Sequence, residues 1–239
     1  MKKLDIHCHI LSKLDDGSGS LQESIKMLKM ARRQNVISVI ATPHYSAQFK
    51  NDNPEKIQRL CKTLEEKAQE VVDPEFRIYP GQEIFYTDDI LEKLTRGEIL
   101  TMAGSRYVLV EFMPDVPYSQ IFRAVTELVF AGYIPVLAHI ERYRALREPG
   151  RVEELTEMGA YMQMNYRRIG GKWYEETVRW CRKVLKEEKV HFLATDMHDL
   201  KYRYPATADA EMWMYKHLDR QYMRKICFKN AEKILGYNR

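Results

Sequence analysis

The chain has 239 residues, a formal charge of +4 from 38 basic and 34 acidic side chains, and a hydrophobic fraction of 45%. These values fit one globular domain over residues 1–239 and exclude a disordered or fibrous chain; the mild, dispersed positive excess gives no reason to expect a nucleic-acid partner. No stretch approaches the roughly 18 apolar residues of a membrane span, so a cytoplasmic protein without a membrane span is expected.

In chain order, apolar runs predict strands at Leu4–Cys8, Val36–Thr42, Arg77–Gln82, Tyr107–Phe112, Ile134–Ala138, Ala160–Met164 and Val190–Ala194. Between them, helical spacing predicts a first helix opening with Ser20 and Glu23 at capping-box distance. Others follow over Pro54–Val71, Tyr118–Gly132, Arg151–Gly159, Trp173–Glu188 and Asp209–Leu235. Seven strands alternating with helices point to a closed or nearly closed parallel barrel, with a doubly wound open sheet as the alternative. The amphipathic first helix suits packing on the barrel and self-association equally, which leaves a homo-oligomer open.

The cysteines, Cys8, Cys61, Cys181 and Cys227, form no C-x-x-C pair, and none is followed six positions later by Arg. That argues against a zinc knuckle, a disulfide framework and a thiol-phosphatase loop. The strand ends carry the chemistry instead: His7 and His9, His44, Glu83, Glu111, His139, and Asp196 with His198. Alternate residues on a strand face the same side, so His7 and His9 can aim at one point. Alone, each carboxylate reads as readily as a helix cap or a surface partner. Clustered with five of the chain's seven histidines, the carboxylates suit metal ligation, because an apolar strand ending in a charge needs a cation beside it. His191 and His217 have the structural reading. Asp15 and Asp16, in a Gly-rich loop, fit an ordinary turn slightly better than a ligand role.

The H-x-H opening, the D-D-G loop, T-x-H, "GQEIFY", the E-F strand end, "AHIERY" and "TDMH" together resemble the PHP (polymerase and histidinol phosphatase) superfamily. More narrowly, the chain resembles the bacterial manganese-dependent protein-tyrosine phosphatases of capsular and extracellular polysaccharide operons, from His7 to about Arg203. The resemblance implies a distorted seven-stranded β/α, TIM-like barrel (the PHP fold) with a trinuclear metal centre. It implies His7, His9, Asp16, His44, Glu83, Glu111, His139, Asp196 and His198 as ligands, and it selects Asp16 over Asp15. It also implies that Arg142 and Arg203 meet the substrate phosphate. Asp199 stands where close relatives often carry an amide.

Three divalent ions over Asp16, Glu83, Glu111 and Asp196 would leave the centre positive, which suits a phosphate monoester dianion attacked by a metal-activated hydroxide. Imidazole and carboxylate without thiolate admit manganese, iron, cobalt or zinc, and the resemblance favours manganese. A phenolate leaves more readily than an alkoxide, which favours phosphotyrosine. Tyr45, Phe85, Tyr86 and Tyr143 flank the ligands and suit an aryl entrance or ordinary core equally. The implied substrate is the tyrosine-rich tail of an autophosphorylating bacterial tyrosine kinase. The rival readings are a small-molecule phosphatase of the histidinol-phosphatase type and a non-catalytic, metal-bound module that binds phosphoproteins.

Overall fold

The computed structural model describes residues 1–236, so residues 237–239 of the expected domain lie outside the described residues. Strand β1 (Lys3–Cys8) is buried at every position, as befits a strand covered on both faces. Helix α1 (Leu21–Arg33) starts at Ser20, whose hydroxyl accepts from the Glu23 amide at 3.2 Å. The other half of the expected capping box is shifted by one residue, the Glu23 carboxylate accepting from Gly19 N at 2.8 Å. Met27, Leu28 and Ala31 form the stripe by which α1 packs onto the sheet.

The chain continues through β2 (Val36–Ala41), β3 (His44–Tyr45), α2 (Pro54–Val71), β4 (Arg77–Pro80), β5 (Glu83–Phe85), α3 (Ile90–Arg96), β6 (Tyr107–Glu111) and α4 (Tyr118–Phe130). Then come β7 (Ile134–Leu137), α5 (Arg151–Glu157), β8 (Tyr161–Asn165), a single turn α6 (Tyr166–Ile169), α7 (Glu176–Lys186) and β9 (Phe192–Ala194). The last segment is α8 (Ala208–His217), α9 (Arg220–Arg224), a π-helical turn and α10 (Asn230–Ile234).

All strand pairs are parallel, in two ladders with the orders β1-β2-β4 and β3-β5-β6-β7-β8-β9. The described residues contain nine strand segments rather than the expected seven, because two expected strands stop slightly early and each is followed, beyond its expected end, by a further short strand. Val36–Thr42 breaks at Pro43, which has no amide to donate to a ladder. Arg77–Gln82 stops at Pro80, and the Gln82 carboxamide turns away to donate to Asn51 O and accept from Leu100 N, both at 2.7 Å. Each break is followed by a two- or three-residue strand that opens with a site residue, His44 or Glu83.

At the far edge, Asp196 N donates to His7 O and His9 N to Met197 O, both at 2.9 Å, joining the segment after β9 to the end of β1. The result is a mixed α/β fold with a curled parallel sheet, consistent with the TIM-like expectation. Leu4, Ile6, Leu109, Val136 and Phe192 pack with Ile234 of α10, so the curl encloses a packed interior.

The helix expected over Asp209–Leu235 is instead broken. Leu218 is extended (φ −120°, ψ 152°), and the Asp219 carboxylate caps a new helix by accepting from Gln221 N at 2.8 Å and Tyr222 N at 3.1 Å. Helix α7 begins at Glu176 rather than Trp173, and α3 was not expected. Among the described residues no helix is long and apolar enough to cross a membrane.

Candidate metal centre

All nine expected ligands meet at the carboxyl ends of the strands. His7 and His9 bring their Nε2 atoms to 3.2 Å of each other. Glu83 Oε2 lies 3.1 Å from His7 Nε2, 3.2 Å from His9 Nε2 and 3.0 Å from His44 Nδ1, while its Oε1 is 2.7 Å from His139 Nε2. Glu111 stands 3.3 Å from both His44 Nδ1 and His139 Nε2. Asp196 Oδ1 is 3.5 Å from His7 Nε2, and Asp16 Oδ1 is 3.5 Å from His44 Nε2 and 3.4 Å from His198 Nε2.

Two of these residues reach the cluster through unusual backbone. His139 (φ 34°) and Asp196 (φ 52°) lie in the left-handed region just after β7 and β9. A non-glycine residue held there costs about 1–3 kcal/mol, which the surrounding structure must offset.

Burial by itself would lower the His9 and His44 pKa values. Asp15 outweighs it for His9, and Glu83 and Glu111 for His44, raising both to about 9. Glu83 resists its own burial through His7 and His44 and stays well below the usual carboxylate range; Asp196 does so through His7, Arg203 and Arg142. The donor set fits divalent cations on a further observation: Glu83 Oε2 and His198 Nε2 are buried among close donor and acceptor atoms, yet none of these is aligned to hydrogen-bond them. Ligand atoms within 4.8 Å of one another fall into four overlapping groups. These are His9/Asp16/His44/His198, His7/His9/Asp196, His7/Glu83/His139 and His44/Glu83/Glu111.

Sequence reasoning gave three supporting residues no part in the site: Asp15 was read as a turn residue, and Gln163 and Asn165 were not singled out. Asp15, beside the expected ligand Asp16, has a buried carboxylate that holds His9 Nδ1 at 2.7 Å while accepting from His44 N at 2.9 Å. It thus fixes the face that His9 offers to a metal. Gln163 Oε1 takes His7 Nδ1 at 3.0 Å and the His139 amide at 2.8 Å, and Gln163 Nε2 donates to Asn165 Oδ1 at 2.9 Å. Asn165 Nδ2 in turn donates to Asp196 Oδ2 at 2.9 Å. The available signal was the polar alternation of "YMQMN" within an otherwise apolar strand. The two remaining histidines are structural: His191 Nδ1 accepts from Met162 N at 3.0 Å, and His217 Nδ1 bonds Trp213 O at 2.7 Å.

A family model for capsular polysaccharide synthesis proteins, CpsB/CapC, matches residues 3–236. The chain belongs to the CpsB/CapC family. It is 36% identical over 238 residues to the tyrosine-protein phosphatase CpsB of Streptococcus pneumoniae, covering 97% of this chain and 98% of the relative. To the tyrosine-protein phosphatase YwqE of Bacillus subtilis (strain 168) it is 30% identical over 237 residues, covering 97% and 91%. One solved chain superposes with a TM-score of 0.88 at 30% identity, over 98% of this chain and 94% of that one. It comes from the crystal structures of YwqE from Bacillus subtilis and CpsB from Streptococcus pneumoniae, described as unique metal-dependent tyrosine phosphatases.

In this CpsB/CapC chain the two expected arginines converge on Asp196. Arg142 Nη2 donates to Oδ2 at 2.6 Å, and Arg203 Nη2 donates to Oδ1 at 2.9 Å and Oδ2 at 3.0 Å. Arg203 is carried by a loop that Asp199 ties together, accepting from the amides of Lys201, Tyr202 and Arg203 at 2.6, 2.5 and 3.0 Å. A carboxylate at this position thus has a local structural use. Both arginines line an open cleft of about 450 Å³ together with Asp16, His44, Phe49 and Phe85. Of the flanking aromatics, Phe85 reaches this cleft, whereas Tyr45, Tyr86 and Tyr143 are buried in the core.

Proposed function

We propose that this CpsB/CapC chain is a metal-dependent protein-tyrosine phosphatase, a phosphoric monoester hydrolase. The observation that carries the reading is the convergence of five imidazoles and four carboxylates beneath a cleft edged by Arg142 and Arg203. His7, His9, Asp16, His44, Glu83, Glu111, His139, Asp196 and His198 would hold three divalent ions. Manganese is favoured, and iron, cobalt and zinc are admitted by the same donors. When bound, such ions supply Lewis acidity toward phosphoryl oxygens and lower the pKa of water.

The chain's own contribution is placement. Gln163 and Asp15 occupy the far nitrogens of His7 and His9, which leaves both Nε2 atoms directed inward. The Arg142 and Arg203 forks stand at the cleft edge, where paired N–H donors match equatorial phosphate oxygens. Phe49 and Phe85 flank the same cleft and suit an aryl ring. A phenolate with a pKa of about 10 leaves without strong help from a general acid. The open cleft favours a protein-borne aryl phosphate over histidinol phosphate, for which an enclosed pocket would be expected.

The same reading makes the chain one phosphoesterase domain whose two ladders form a distorted seven-stranded barrel, with β2/β3 and β4/β5 each counted as one interrupted strand. The hydrogen bonds between the end of β1 and the segment after β9 support it. The family's link to capsular polysaccharide synthesis supports a bacterial tyrosine kinase as substrate, and with it a cytoplasmic location for this chain.

Phosphate release from a phosphotyrosyl peptide with added manganese, run beside histidinol phosphate and the His7→Ala/His9→Ala double variant, tests the proposal. Release from the peptide that is lost in the double variant is expected. Release confined to histidinol phosphate would transfer the assignment to small-molecule hydrolysis, and binding without release would make the chain a recognition module.

A further inference from the structure

Beside the metal cleft lies a second, smaller cavity of about 200 Å³, lined by Arg142, Arg167, Arg168, Arg203, Asn165 and Asp196. It shares Arg142 and Arg203 with the larger cleft, so the two are adjoining compartments of one depression. Asp196 is its only acidic lining residue, and that carboxylate is already engaged by Arg142 and Arg203. Four guanidinium groups against that one carboxylate leave the cavity strongly positive, and Arg167 and Arg168 add their charge without any share in Asp196.

The backbone that carries these two arginines is held in place by the fold. They sit on the single turn α6, which follows β8 directly, and the turn is anchored by the buried side chains of Tyr166 and Ile169. Its end is clamped by Arg182, whose guanidinium donates to Ile169 O at 3.1 and 3.0 Å and to Gly171 O at 3.1 Å. A Cβ on Gly170 would stand 2.7 Å from Asp209 Cβ, so the chain after the turn lies tight against α8. Arg167 is spent on structure. It donates to Tyr202 O and, at 2.9 Å, to Tyr204 O, and stacks on the Tyr204 ring, securing the loop that carries Arg203. Arg168 is exposed, and among the described residues its guanidinium has no hydrogen-bond or carboxylate partner. An unpaired guanidinium on a rigid turn at the rim of a phosphate cleft is suited to a second anion on the same ligand.

We infer that Arg168, backed by Arg167, forms an anion subsite that takes an Asp or Glu side chain next to the scissile phosphotyrosine, making the chain selective for acidic peptide segments. The inference rests on the tyrosine-phosphatase reading and deepens it. The cavity's size suits a carboxylate side chain better than a second phosphotyrosyl ring. The contact is remote from the reacting bond, so it acts on substrate capture and appears in kcat/KM chiefly through KM.

The test compares manganese-loaded enzyme on phosphotyrosyl peptides flanked by Glu, by the isosteric Gln, or by Lys, together with a doubly phosphorylated peptide. The Glu-flanked peptide is expected to exceed the Gln-flanked one in kcat/KM on the order of fivefold at low ionic strength, with the advantage shrinking in high salt. Arg168→Gln should bring that ratio to about one, and Arg168→Glu should invert it in favour of the Lys-flanked peptide. Equal kcat/KM for Glu and Gln peptides in the native enzyme, or a preference that survives Arg168→Gln, would overturn the subsite. A preference shown only by the doubly phosphorylated peptide would overturn the carboxylate as its occupant. No phosphate release from any of these peptides would remove the phosphatase reading itself, and the subsite with it.

Discussion

Gln163 shows how much of the site depends on side chains that never face the metal cavity. Its carboxamide joins His7 Nδ1, the His139 amide and Asn165, and through Asn165 it reaches Asp196. Gln163→Leu keeps the volume roughly constant and removes every one of these bonds. Manganese affinity is expected to fall about 10- to 100-fold, measured by equilibrium dialysis, whereas an unchanged affinity would show that His7 is oriented by packing alone. Eight of the nine expected ligands stood out because they cluster at the ends of apolar strands, whereas Asp16, in the loop between β1 and α1, read as a turn and was selected by the family resemblance alone. Gln163 and Asn165 did not stand out, since an amide within a strand reads as ordinary polarity until its partners are seen. Asp15 was obscured differently: it does take part in a turn, accepting from Gly17 N at 3.0 Å, and the same carboxylate also orients His9.

At the scale of elements, the loop between β1 and α1 is pressed against the end of the strand that it leaves. A Cβ added to Gly17 would stand 2.2 Å from His9 O and 2.6 Å from His9 Cβ, contacts that only a backbone shift can relieve. Gly17→Ala is therefore expected to destabilise the metal-free protein by about 1–3 kcal/mol in urea unfolding and to weaken manganese binding with it. A variant unchanged in both would mean that the loop moves without carrying His9. Most β/α units were readable from periodicity, but the pieces that aim residues were not. Two- and three-residue strands such as β3 and β5 are too short to show a period, and the interruptions before them look like strand ends. The break at Leu218 was hidden because apolar spacing continues on both sides, and only the Asp219 cap marks the restart.

For the whole molecule, the curled sheet concentrates charge at one end, and that charge couples metal binding to protons. His9 and His44 are raised to about 9, above their ordinary value of about 6.5, so the folded, metal-free protein keeps protons that the unfolded chain releases. Their stabilising contribution is complete below about pH 6.5 and is lost as pH rises through 9; His198, held below its ordinary value by burial and by His9, opposes them. Manganese uptake near pH 7 should therefore release protons and tighten toward pH 9, which calorimetry in two buffers of different ionisation enthalpy would reveal. Uptake without proton release would show that these imidazoles are already neutral. The most direct test of the metal-centre account is to titrate manganese into chelator-stripped protein while recording bound metal and phosphate release from a phosphotyrosyl peptide together. Activity that is absent in the stripped protein and rises in step with bound manganese is the predicted result; full turnover without metal would contradict it.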